Sequence, residues 1–206
     1  MIPKIIHIIW IGDESRRPTK NILSWIENNP SWTVKLWGND ELHNLKWFNI
    51  RHIQEMIERK ELCGVADLMR LEILYNEGGI YVDADMISNH PLEKWLFECD
   101  MFACWENEIA RPGLIANGVI AAIKKNEFIG RMIFDLHQIT ELPSLPAWIC
   151  TGPKFLTESY HKYQYNKLTI WPSHFFLPEH HSMMEYKGNE SNVFARHVWG
   201  STRGIY

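Results

Sequence analysis

Residues 64–86, GVADLMRLEILYNEGGIYVDADM, constrain the fold more than any other part of the chain. Leu68, Leu71 and Leu74 recur at helical spacing and predict a largely buried helix over residues 65–76. Gly78 and Gly79 then supply a helix stop, because glycine accepts the left-handed backbone that such a stop requires. Residues 80–83 open with an apolar Ile-Tyr-Val run, the pattern of a buried strand. A buried helix turning straight into a buried strand belongs to an α/β layered structure.

The rest of the chain extends that alternation. Residues 5–10, IIHIIW, form a continuous apolar strand that Gly12 and Asp13 end. Pro18 and Thr19 open a helix that runs to about residue 29, with Ile22, Leu23 and Ile26 on one side and Pro30 as its stop. A strand follows over residues 33–37. Asp40 caps a short helix, and residues 50–60 form another with Ile53, Met56 and Ile57 inward. Further strands are predicted over residues 101–105, 168–171 and 193–199, with strand and turn over 114–122. Helices are predicted over 128–138 and 153–163, the second with Pro153 in its first turn. The reading is one α/β domain over residues 1–206, Rossmann-like, with a mainly parallel sheet flanked by helices. Ligands of such sheets sit beyond the carboxyl ends of strands, which directs attention to the chain after Trp10, Asp83 and Trp105.

Composition removes several alternatives. With 46% hydrophobic and 22% charged residues, the 206-residue chain is neither disordered nor fibrous. A net charge of -4 leaves no basic footprint for nucleic acid. Cys63, Cys99, Cys104 and Cys150 form no CxxC pair and read as reduced thiols of a cytoplasmic protein. The N-terminal segment lacks the flanks of a secretion signal, and no run reaches the roughly 18 apolar residues of a transmembrane helix. A cytoplasmic protein is expected, with a peripheral membrane contact left open. Ten tryptophans can fill a core or stack on bases and sugar faces.

Asp83 and Asp85 flank one alanine at a strand end, and alternation in an extended chain points both carboxylates the same way. Two such groups repel, and a divalent cation relieves them. Hard oxygen ligands select Mg²⁺ or Mn²⁺, which leave much of their shell to substrate phosphates. The pair therefore implies a diphosphate-bearing ligand together with a metal, against the plainer reading of a surface Asp-x-Asp turn. Asp67 and Arg70 lie three apart on the preceding helix and share a face, either as a structural ion pair or as a pair lining a polar cleft.

These blocks, IPKIIHIIWIG at residues 2–12 and ADLMRLEILYNEGGIYVDADM at 66–86, resemble the DXD-containing glycosyltransferases. The likeness is to those of the capsular-polysaccharide and yeast initiating α-1,6-mannosyltransferase kind, and to the glucosylating domains of large clostridial toxins. Weaker echoes are Asn117-Gly118, Thr151-Gly152-Pro153 and the closing ARHVWGST. The resemblance implies a GT-A fold and a hexose transferred, with retention, from a UDP- or GDP-sugar. Its metal is Mn²⁺ or Mg²⁺, and its acceptor is a glycan, a lipid-linked sugar or a protein, in glycan or polysaccharide biosynthesis. It implies that Asp85 ligates the metal and that Asp83 reaches metal or ribose. Asp67 would bond ribose or sugar hydroxyls, and Arg70 would sit beside the donor sugar and diphosphate. Asp83, Asp85 and Arg70 then form the catalytic set. Trp10 would stack on the nucleobase, and Asn117 would lie near the donor sugar.

The tail adds three residues. His197, Trp199 and Ser201 alternate, so an extended segment presents them on one side. The resemblance implies that His197 completes the metal shell and that Trp199 and Ser201 reach the diphosphate. Thr202 follows Ser201 where the resemblance expects tryptophan, and a structural role for His197 stays open. An inverting reaction would instead need a carboxylate base near the acceptor, for which Glu106 and Glu108 are the candidates against a solvated-loop reading. At 206 residues the chain is short for a GT-A enzyme, which predicts minimal acceptor additions and an open acceptor cleft. Two rival readings are a catalytically inactive sugar-nucleotide or carbohydrate-binding module and a haloacid-dehalogenase-like phosphatase. The phosphatase motif normally opens its domain and carries a threonine after the second Asp, where Met86 and Ile87 stand here.

Overall fold

The computed structural model describes residues 1–205. In chain order the elements begin with β1 (Ile5–Ile9), α1 (Thr19–Asn28), β2 (Thr33–Trp37), α2 (Asn39–Asn44), α3 (Ile50–Glu58), α4 (Leu62–Glu77), β3 (Gly79–Val82) and β4 (Met86–Ser88). They continue with β5 (Met101–Asn107), β6 (Arg111–Ala122), α5 (Glu127–Gln138), α6 (Ala147–Cys150), α7 (Pro153–Tyr163), β7 (Leu168–Trp171) and β8 (Ala195–His197).

Six strands form one sheet in the order β2-β1-β3-β6-β5-β7. β1 pairs in parallel with β2 and β3, and β5 in parallel with β7. β6 is antiparallel to both β3 and β5, so it alone runs against the others in this sheet. The carboxyl ends of β1, β3 and β5 therefore share one edge. β4 and β8 pair antiparallel as a separate ribbon.

Each face of the sheet buries its own core. α4 lies on one face, and its side chains are buried almost continuously from Gly64 to Leu74, because the sheet covers one side and α3 and α5 cover others. Gly64 permits the α3 contact, since a Cβ there would lie 2.6 Å from Met56 Sδ. The other face carries Ile6, Ile8, Val82 and Phe102 against an aromatic cluster of Phe175, Phe176 and Phe194. His7 is the polar exception within the apolar β1 run. Its Nδ1 accepts Trp37 Nε1–H at 3.1 Å and its Nε2 meets Gly78 O at 2.8 Å, so the ring is satisfied.

The glycine stop forms as expected: Gly78 has φ +70°, Gly79 has φ +104°, and a Cβ on Gly79 would meet Ile5 O at 2.5 Å. Other expectations change. α1 buries Ile22 and Trp25, leaving Leu23 and Ile26 exposed, because Met86 O draws in the Trp25 indole N–H at 3.1 Å. α3 buries Ile53 and Met56 but not Ile57. α2 starts at Asn39, and Glu41 rather than Asp40 closes its start by accepting Gly38 N–H at 2.7 Å. The expected strand over 193–199 shortens to β8, the length that its β4 partner can pair. Among the described residues, no helix is long and apolar enough to cross a membrane.

Candidate metal and donor site

The two aspartates converge, but not by strand alternation. β3 ends at Val82, and Met86 N–H bonds Asp83 O at 3.0 Å, closing a tight turn that carries Asp85. The turn folds the second carboxylate back over the first. Gly118 on β6 makes room for the first, since a Cβ there would lie 2.5 Å from Asp83 Oδ2. The chain leaving the turn becomes β4, whose pairing sets Met86 opposite His197. His197 Nε2 consequently lies 3.2 Å from Asp83 Oδ2 and 3.3 Å from Asp85 Oδ1. Asp85 is tied further to the tail: its Oδ2 accepts Gly200 N–H at 2.7 Å and its carbonyl accepts Val198 N–H at 3.2 Å.

One potential ligand atom from each of Asp83, Asp85 and His197 lies within 4.8 Å of the others. Burial pushes the Asp83 carboxyl up, but Arg70 and His197 outweigh it and hold that group well below the carboxylate range. Asp85 shifts the other way, raised chiefly by burial, with His197 opposing. Burial disfavours charge on His197, yet Asp85 and Asp83 prevail and raise it. Two carboxylates and one imidazole suit a divalent cation of the Mn²⁺ type, so the donor set fits the implied metal.

Asp67 and Arg70 are buried behind this turn, at 5% and 4% exposure. The Arg70 guanidinium lies 2.9 Å from Asp67 Oδ1 and 3.4 Å from Asp83 Oδ1, donates to Asn117 O, and sits 4.3 Å from the Tyr81 ring centre. Asp67 accepts from Asn117 Nδ2 at 2.8 Å and from Thr151 Oγ1 at 3.0 Å. Burial raises the Asp67 carboxyl against the opposing pull of Arg70. Burial works against the Arg70 charge too, but Tyr81, Asp67 and Asp83 together hold it above its ordinary value. The ion pair left open by the sequence is thus a buried structural pair, and through Asp83 it joins α4 to the Asp-x-Asp turn.

Sequence reasoning did not assign three participants. Tyr81 donates its hydroxyl to Asp83 Oδ1 at 2.7 Å, a contact signalled only by its place two residues earlier in the strand. Thr151 and Gly118 stand in the weaker echoes, with no role read for either.

The remaining candidates divide. Trp10 lies just beyond β1, half-buried, and its indole N–H bonds Asp13 O at 3.1 Å. The Trp199 ring packs 4.3 Å from the His197 ring, and its indole N–H bonds Glu179 O at 2.8 Å. Ser201 is exposed, and among the described residues no side-chain hydrogen bond ties it to the aspartates. The expected alternation fails because β8 ends at His197 and Trp199 turns the chain at φ +60°. Glu108 is committed to Ser173, accepting its N–H at 2.9 Å and its hydroxyl. Glu106 is buried at 8% exposure and lies 3.3 Å from His180 Nε2. Glu106 therefore lies inside β5, whereas Glu108 stands half-buried in the turn that follows it.

A sheet of this order, with an Asp-x-Asp turn beyond β3, has the GT-A architecture. Residues 15–101 match the family described as the glycosyltransferase sugar-binding region containing the DXD motif. It is 30% identical over 169 residues to inositol phosphoceramide mannosyltransferase 3 of Schizosaccharomyces pombe, covering 76% of this chain and 44% of the relative. It is 31% identical over 88 residues to toxin B of Clostridioides difficile, covering 40% of this chain and 4% of the toxin. Among solved structures, the UDP-bound glycosyltransferase domain of the YGT toxin superposes with a TM-score of 0.58 at 10% identity, covering 82% of this chain and 79% of that one. The chain spans less than half the length of these two curated relatives.

Proposed function

We propose that the chain is one GT-A domain, over residues 1–206, that transfers a hexose from a nucleotide-diphosphate sugar to an acceptor hydroxyl with retention. The observation that carries this reading is the meeting of Asp83, Asp85 and His197 beside the buried Arg70. The three would hold Mn²⁺, which their mixed oxygen and nitrogen donors favour over Mg²⁺. When bound, the ion supplies Lewis acidity toward the diphosphate oxygens.

The chain's own groups supply the rest. As the bond between sugar C1 and the diphosphate breaks, charge builds on the leaving oxygens. Arg70 presents a charge already fixed by Asp67, Tyr81 and Asn117, so little reorganisation accompanies the step. Asp67 and Asn117 orient the sugar and ribose hydroxyls, and Trp10 stacks on the base. Trp199 flanks the diphosphate, with Ser201 as a donor from the adjoining turn. Retention requires no dedicated carboxylate base, and Glu108 is hydrogen-bonded to Ser173. The Schizosaccharomyces relative's name makes a mannose nucleotide the first donor to test and an inositol phosphoceramide lipid the first acceptor, alongside other UDP- and GDP-sugars and glycan, lipid-linked or protein acceptors. The pathway class is glycan or polysaccharide biosynthesis.

The test is a panel of UDP- and GDP-sugars assayed for nucleotide release with Mn²⁺, with chelator, and with Asp85→Ala. Release that needs both Mn²⁺ and Asp85 is expected. Release indifferent to the chelator and undiminished in Asp85→Ala would overturn the proposal.

A further inference from the structure

Glu106 is a buried carboxylate that the proposed reaction does not use. It sits near the carboxyl end of β5, where the β5–β6 register breaks between Trp105 and Asn107. Such bulges re-aim a side chain. Its hydrogen-bond partner is His180, itself only 2% exposed, with Nε2 at 3.3 Å from Glu106 Oε1. The direction of that bond is set from the other side of the ring. His180 Nδ1 lies 2.7 Å from Ser182 Oγ and 3.2 Å from Ser182 N; with Nδ1 accepting from both, the neutral ring carries its proton on Nε2 and donates it to Glu106. Burial, with His181 and Arg111 adding to it, pulls His180 down to about 4, which keeps the ring neutral near pH 7.

The other face of this pair meets the tail. The His180 and His181 rings pack edge-on to Trp199 at 5.3 and 5.4 Å between centres. The neighbouring Glu179 carbonyl receives the Trp199 indole N–H. Trp199 holds φ +60°, a conformation that a non-glycine residue keeps only when its surroundings enforce it. Its own backbone N–H reaches back to His197 Nδ1 at 2.9 Å. A run of contacts therefore leads from Glu106 through His180 and Trp199 to the imidazole that faces Asp83 and Asp85.

We propose that Glu106, acting through His180, is a positioning residue that seats Trp199 and so delivers His197 to the two aspartates. The inference rests on the function proposed above. It differs from a role for Glu106 as base, because the carboxylate acts as a hydrogen-bond acceptor and not as a proton carrier.

The discriminating variants are Glu106→Gln, which keeps an acceptor oxygen, Glu106→Ala, which does not, and His180→Phe, which keeps a flat ring without its N–H. The Trp199 environment is read in metal-free protein by ¹⁹F NMR after 5-fluorotryptophan labelling, with Trp199→Phe giving the assignment. Mn²⁺ affinity is read by calorimetry and nucleotide release by kcat and KM. Glu106→Ala and His180→Phe should move the Trp199 resonance and weaken Mn²⁺ binding about 10-fold, the usual effect of losing support behind a metal ligand. Glu106→Gln should stay close to wild type in all three readouts. An unmoved Trp199 resonance in both His180→Phe and Glu106→Ala overturns the proposal. So does a Glu106→Gln variant that loses kcat as fully as Glu106→Ala with Trp199 and Mn²⁺ affinity unchanged, which makes Glu106 a catalytic residue. Should Glu106→Ala not fold, His180→Phe carries the same reading. Wild-type protein that binds no Mn²⁺ removes the functional reading instead, while the Trp199 resonance still decides the positioning.

Discussion

His197 and Asp83 are 114 residues apart in the chain, and their facing side-chain atoms are 3.2 Å apart. The two-strand ribbon of β4 and β8 closes that distance: β4 begins where the Asp83 turn ends, and β8 ends on His197. Without the imidazole, the buried Asp85 and the half-buried Asp83 would face one another beside a single guanidinium. Burial disfavours charge on the His197 imidazole, yet Asp85 and Asp83 raise it, which favours the protonated ring between them.

His197→Ala is expected to lower the melting temperature of metal-free protein and to weaken Mn²⁺ binding by more than 10-fold, since a candidate ligand and the ring that separates the two carboxylates are lost together. Wild-type protein should gain about 2.7 kcal/mol of unfolding free energy from Mn²⁺ at 100 times its Kd. Differential scanning calorimetry across a Mn²⁺ titration checks both. A wild-type Tm independent of Mn²⁺ would remove the metal site.

Asp67→Ala should destabilise the fold by about 3 kcal/mol, because it leaves a buried guanidinium short of its nearest carboxylate. It also frees Thr151 Oγ1 and Asn117 Nδ2 from their acceptor. Asp67→Asn keeps one acceptor oxygen and should lose less, while abolishing donor binding in the same measure as the alanine. Urea unfolding ranks the two variants. Equal stabilities would mean that Asp83 alone satisfies Arg70.

His180 gives a pH signature with a definite sign. Its folded value is about 4 against an ordinary 6.5, so folding favours the neutral ring. That contribution is complete above pH 6.5 and is lost as pH falls toward 4. His180→Gln does not titrate there. The stability difference between wild type and His180→Gln should therefore shrink between pH 7 and pH 4.5 in metal-free protein. A constant difference would show a ring that stays hydrated.

Trp10 stands at the carboxyl end of β1 and shares the sheet edge with the Asp83 turn. Stacking on a nucleobase is worth ~1–3 kcal/mol and is made equally in ground and transition states. Trp10→Ala should raise the donor KM about 10-fold with kcat little changed, 10-fold being ~1.4 kcal/mol. Steady-state kinetics with the preferred sugar nucleotide decides it. An unchanged KM would leave Trp10 as packing for the neighbouring core.

Local signals in the sequence were legible and long-range ones were not. The stop at Gly78-Gly79 could be read because its cause, a positive φ, lies within the residues themselves. The acidic pair could be read as a pair, yet its convergence comes from a turn hydrogen bond between Met86 and Asp83 and not from pleating. Thr151 lies 84 residues from Asp67, and no pattern in one chain announces that contact. The buried face of α1 is not legible in its spacing, because the choice between Trp25 and Ile26 is made by the Met86 carbonyl across the interface. In the tail, alternation places His197 and Ser201 on one side only if the chain stays extended, and Trp199 turns it.

Two glycines separate function from folding in a single comparison. Gly118 lies in β6 without a positive φ, so alanine is acceptable to its backbone, but the new methyl would start 2.5 Å from Asp83 Oδ2. The carboxylate must move, and Tyr81 and Arg70 restrict where it can go. Gly118→Ala should therefore cost about 1–3 kcal/mol by overpacking, fold with an unchanged far-UV spectrum, and lose Mn²⁺ affinity and turnover together. Gly79 is the reverse case: its φ is +104°, and a methyl would meet the Ile5 carbonyl at 2.5 Å, so both strain and clash fall on the sheet. Gly79→Ala should lower the melting temperature more than Gly118→Ala does, and whatever protein folds should bind Mn²⁺ with near-wild-type affinity. Circular dichroism melts paired with Mn²⁺ calorimetry give both quantities on the same samples. Gly118→Ala with intact Mn²⁺ binding would show that Asp83 tolerates displacement and that its position is not what the metal site depends on.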